Sequence, residues 1–155
     1  MFLMILNDFS LTRSIPTATE ARTPKKRSVE ENFRLRQNLA LSYRLIDDLN
    51  LNEGSCNHLS VMAPARAGGS NKDLMLIAPG YMPDGGGIDW CRVTASSILG
   101  LGPHGEVLEG EGEPELSGAC IHLGVRRAKP EAKVHHILSN SKGIQSSKKY
   151  FQFPS

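Results

Sequence analysis

A chain of 155 residues has room for about one domain of ordinary size. With 39% apolar and 22% charged residues it suits a soluble globule rather than a disordered polymer, and a formal charge of +2 is too small to argue for nucleic acid. The longest apolar run, Met1–Leu6, falls far short of the ~20 residues of a membrane helix, so no membrane span is expected.

In chain order, residues 1–27 show no sustained periodicity and end in the basic cluster "PKKR". They read as a disordered basic leader. Met1–Leu6 lacks the basic flank of a signal peptide; the Ser, Thr and Arg that follow suit an organelle transit segment, but Asp8 and Glu20 count against one. Order is expected from Ser28, where "SVEE" has capping-box spacing. Leu35, Leu39, Ile46 and Leu49, with Phe33 and Tyr43 beside them, then predict an amphipathic helix to about Asn50, packed on a sheet. A turn-rich stretch leads into the alternating "HLSV", and "KDLMLIAP" is a stronger strand. "GYMPDGGGIDW" has no GxGxxG or Walker spacing and reads as a surface loop. Two strands are expected around the turn Gly102–Gly105, a second helix over 114–128 ending in "RRAK", and a last strand in "AKVHHIL". Residues 140–155 read as a disordered tail, leaving 28–139 as the folded domain. The order of elements predicts an α/β fold, a mixed β-sheet with helices packed against it. Cys56, Cys91 and Cys120 are an odd number at wide spacing, as for reduced thiols in a cytoplasmic protein.

Four stretches in this order, "LALSYRLIDDLNLNEGSCNHLSV", "DLMLIAPG", "GEVLEGEGEPE" and "IHLGVRRAKPEAKV", together resemble the amino-terminal portion of the class II aldolase/adducin family. "EGSCNHLSV" with "VTASS" is similar to its adducin-like branch. The resemblance implies a three-layer α/β/α sandwich, incomplete at its C-terminus, and, for the aldolases, cleavage of sugar phosphates with a zinc ion that stabilises an enediolate. It also implies a phosphate-binding role for Asn57, with Gly54 and Ser55 before it. An Asn that holds its own turn together suits the same residues. Ser117 falls on a hydroxyl position that caps the family's second helix and faces the phosphate, while Leu116 replaces the other; a plain helix cap suits it as well.

The family's proton-transferring glutamate falls on Gly118, which carries no proton. Glu113 and Glu115 are off register and read as a solvated acidic loop, and His122 reads as a packing residue. The family's H-x-H zinc pair would fall on Ile137 and Ser139. His135 and His136 are adjacent instead, and adjacent strand positions face opposite sides of a sheet. No metal site, no catalytic residues and no cofactor are therefore expected. "VHHILSNSKGIQ" begins where the family pattern stops, as in a short form with a divergent tail or a product of a longer gene. The last strand should then stand bare at a sheet edge, predicting a homo-oligomer. By resemblance to adducin, the actin and spectrin cytoskeleton is the implied partner of a non-catalytic module; the alternative is a fragment of a zinc-dependent aldolase or epimerase.

Overall fold

In a computed structural model, the structure describes residues 2–6, 24–52, 57–66, 73–81 and 88–138; for 2–6, 24–27 and 135–138 the backbone alone is described. The first element is a strand, β1 (Phe2–Leu6), followed by helix α1 (Pro24–Asp48). Strands β2 (His58–Ala63), β3 (Leu74–Ile77), β4 (Leu99–Leu101) and β5 (Val107–Glu109) come next, then helix α2 (Leu116–Ala128) and strand β6 (Val134–Leu138). The sheet runs β1-β6-β2-β3-β4-β5. Each of its five pairings is antiparallel, where a mixed sheet was expected.

Strand alternation sorts the apolar side chains onto two faces. Leu59, Val61, Ala63 and Leu76 pack with Leu39, Ala40, Tyr43 and Ile46 of α1. Met62, Met75, Ile77, Leu99 and Leu101 pack with Ala119 and Leu123 of α2. One helix thus covers each face, giving the three-layer sandwich. Every residue of β2 is buried, as a strand covered on both sides requires.

Two expectations change here. Phe2–Leu6 was read as part of a disordered leader, yet these residues pair with β6 over Phe2↔Leu138 to Leu6↔Val134. Beta-6 also pairs with β2, over His58↔Ile137 to Val61↔Val134. It is an interior strand, not the bare edge expected, because the N-terminal strand supplies its outer neighbour. The remaining leader residues 7–23 and the tail 140–155 lie outside the described residues. The helix also starts earlier, with Pro24 in its first turn, where a missing N–H costs no hydrogen bond.

Alpha-1 closes with Asn50 at φ 52°, and with bonds from Leu51 N–H to Ile46 O and from Asn50 N–H to Asp47 O. That is a Schellman closure, in which Asn is among the few side chains that tolerate left-handed backbone. It turns the chain toward β2.

Tyr43 ties the helix to that strand. Its buried hydroxyl donates to Leu59 O at 2.9 Å and accepts from Leu59 N–H at 3.2 Å, while its ring meets the Trp90 edge at 4.6 Å. Burial pushes the phenol up to about 12, so it stays a donor across the working pH range. Tyr43→Phe removes the partner of two buried backbone groups, and a loss of about 1–3 kcal/mol is expected in urea unfolding.

Candidate functional site

A small cleft opens where five pieces of chain meet: Asn57 and His58 at the start of β2, Ile77–Gly80 at the end of β3, Tyr43 of α1, Ile88, and Glu115 before α2. Two backbone contacts bring the last of these in. Pro79 and Pro114 form an antiparallel bridge, and Gly80 N–H donates to Glu113 O at 2.9 Å. Gly80 must be glycine: a Cβ there would stand 2.5 Å from Glu115 N. The chain before α2 is thereby pressed against the end of β3.

Asn57 is buried, and its Nδ2 donates to Leu51 O at 3.1 Å, so part of its amide holds the turn between α1 and β2. His58 is also buried. Its Nε2 lies 3.7 Å from Glu115 Oε2. The ring lies over Gly118, where a Cβ would come within 2.6 Å of Nδ1 and 2.7 Å of Cε1. Gly118 thus has no side chain, and the space one would enter holds an imidazole.

Glu115 is the N-cap of α2, not the solvated acid that its "EGEGEPE" setting suggests. Its carboxylate accepts from Ser117 N–H at 3.1 Å, from Ser117 Oγ at 2.7 and 2.8 Å, and from Gly118 N–H at 2.5 Å. Burial pushes this carboxyl up, but the bonds from Gly118 and Ser117, with His58 beside it, outweigh that and hold it below the ordinary range. Ser117, expected as the cap, is exposed, stands second in the helix, and donates to the acid that does the capping. Gly54 and Ser55 lie outside the described residues.

His122 is fully buried on α2, bonded through Nδ1 to Ser60 Oγ at 2.6 Å, and meets the His58 ring edge-on at 6.1 Å. In register, His135 stands opposite Ser60 and His136 opposite Leu59, on successive rungs of the ladder. Among the described residues no three His, Cys, Asp or Glu side chains converge as a metal would need.

Sequence reading missed His58, Gly80 and Glu115. Glutamate is not a favoured N-cap, and nothing in "CNHLSV" marks the histidine as facing a helix far along the chain.

The comparisons agree with this fold. An aldolase II superfamily protein from Pseudomonas syringae is 19% identical at a TM-score of 0.62, covering 76% of this chain and 43% of its own. An L-fuculose 1-phosphate aldolase from Glaciozyma antarctica is 20% identical at 0.62, covering 88% and 50%. A further L-fuculose 1-phosphate aldolase is 22% identical at 0.56, covering 74% and 48%. This chain therefore spans half or less of the length of these structures. A search of the curated proteins gives no match. The family model for the Class II Aldolase and Adducin N-terminal domain matches residues 37–140, from the middle of α1 past the end of β6, and the chain belongs to that family.

Proposed function

We propose that the chain is a non-catalytic member of its family, an aldolase-type domain that works by binding and self-association. The observation that carries this reading is the pair Gly118 and His58. Gly118, where the resemblance puts the proton-transfer residue, has no side chain, and the ring over it leaves no room for one. A positioned general acid or base contributes about 10²–10⁴-fold to such a reaction. Self-association is supported by the two outer strands, β1 and β5. Each presents one side without a ladder partner among the described residues, and such edges pair readily with other chains. Actin and spectrin as partners rest on the resemblance to adducin.

A second reading, a piece of a zinc-dependent aldolase, has the gathering of Asn57, His58 and Glu115 in one cleft in its favour. One assay separates the two. With zinc supplied, cleavage of L-fuculose 1-phosphate is expected to run at least about 10³-fold below an intact class II aldolase. Zinc-dependent turnover near that enzyme's rate would overturn the non-catalytic reading. Sedimentation at micromolar concentration should show dimers or larger species, and a monomer throughout would remove the self-association.

A further inference from the structure

We infer that the chain pairs with a second copy of itself through the outer face of α1, the two helices lying antiparallel about a twofold axis at Leu41. The inference rests on the self-association reading and gives it a surface. The inner face of α1 packs on the sheet through Leu39, Tyr43 and Ile46. The opposite face of such a helix is ordinarily polar. Here Leu41 is 61% exposed, Leu45 one turn on is 57% exposed, and Leu49 follows at the same step just past the helix end. Single surface leucines are ordinary. Leucines at successive turns form a ridge of the kind that packs against another helix.

Charge names the occupant. In chain order the outer face runs Arg34, Gln37, Leu41, Leu45, Asp48, all exposed. Arg34 and Asp48 stand seven residues before and after Leu41, so the three lie close to one line along the helix. An antiparallel copy centred on Leu41 sets each Arg34 against Asp48 of the other chain, each Leu45 against Gln37, and Leu41 against itself. No like charges meet. A parallel copy would set Arg34 against Arg34 and Asp48 against Asp48, which costs energy twice. The helix field agrees. Alpha-1 has no acidic residue in its first turn and no basic one in its last, the reverse of what its dipole favours. An antiparallel neighbour brings the positive end of one helix toward the acidic end of the other.

The test is sedimentation of the full chain at micromolar concentration, where the wild type should dimerise. Arg34→Glu and Asp48→Arg each turn two attractions across the twofold into repulsions. Each should weaken the dimer at least about tenfold, exposed ion pairs being worth a few-fold apiece. An equimolar mixture of the two variants should recover near wild-type affinity, because every reversed charge then faces its opposite. The two positions are about 21 Å apart along one helix, so recovery cannot arise within a single chain. Asp48→Arg also suits the helix dipole, so its lost dimer cannot be read as a lost fold. Leu41→Glu, at an exposed position, should weaken the dimer as well. A dimer that none of the three substitutions weakens would overturn the inference and leave self-association to the strand edges. Weakened variants that fail to recover on mixing would overturn it too. A wild-type monomer throughout would remove both the surface and the self-association reading.

Discussion

Replacing either Arg36 or Glu109 with alanine should destabilise the protein by about 3–5 kcal/mol, the usual cost of stranding one member of a buried ion pair. Arg36 is 1% exposed, and its Nη2 meets Glu109 Oε2 at 2.7 Å. Burial pushes the guanidinium down from its ordinary value, against the bond and charge of Glu109 that favour it. The rest of the network leaves little slack. Arg36 Nε donates to Asn32 Oδ1 at 2.7 Å, and Nη1 donates to Ile98 O. Asn32 Nδ2 donates to Pro64 O at 2.7 Å and to Glu109 Oε2 at 3.2 Å, while Arg66 N–H donates to Glu109 Oε1 at 2.6 Å.

These bonds hold α1 to the β4–β5 hairpin. Its outgoing strand carries Glu109, and six residues later the chain reaches Glu115 in the cleft. The pair thus anchors the segment that positions the site. Urea unfolding of both single variants and of Arg36→Met with Glu109→Leu forms a cycle. The double variant should lie closer to wild type than the sum of the singles, because apolar replacement removes both charges together. A Glu109→Ala loss below about 1 kcal/mol, the range of exposed pairs, would show that water screens this one.

That network also marks where sequence reading stops. Leu39, Tyr43 and Ile46 were legible because the period of a helix places them on one face. Phe33 and Leu49 belong to the same count but are half-exposed, at 47% and 54%. Asn32 and Arg36, one turn apart, are buried in their place. A hydrophobic count cannot find them, since their burial depends on a carboxylate 73 positions beyond Arg36. Beta-1 escaped for a related reason. "FLMIL" has no alternation to mark it as a strand, and the strand it pairs with among the described residues lies at the other end of the chain. Helices packed on a sheet were readable, by contrast, because each element carries its own local period and turn residues, whereas the α/β/α layering came from the family resemblance. Beside the cleft, the sequence shows at Gly118 a position without a side chain. What fills the space was not legible, because His58 reaches it from β2, on the sheet face that α2 covers.

Gly118→Ala is accordingly expected to destabilise the protein by about 1–3 kcal/mol, the range for forcing extra volume into a packed site. The sign is the informative part. In an open helix the same change is favourable by about 1 kcal/mol, because alanine lowers the entropy cost of the helical backbone. Here the new methyl would meet the His58 ring at 2.6–2.9 Å, closer than any ordinary contact. The ring cannot retreat easily, since His58 is 9% exposed and its Nε2 faces Glu115. Gly118→Glu, which restores the family's residue, carries the same clash with a longer side chain behind it. It should cost more and bring no proton-transfer activity by itself. His58→Ala empties the space the methyl needs, so His58→Ala with Gly118→Ala should be more stable than the two single losses added together. A coupling of about 1–3 kcal/mol in that cycle, read from urea midpoints, is the expected result. A Gly118→Ala protein as stable as its parent would mean that the ring moves freely, and that position 118 is open to a catalytic side chain after all.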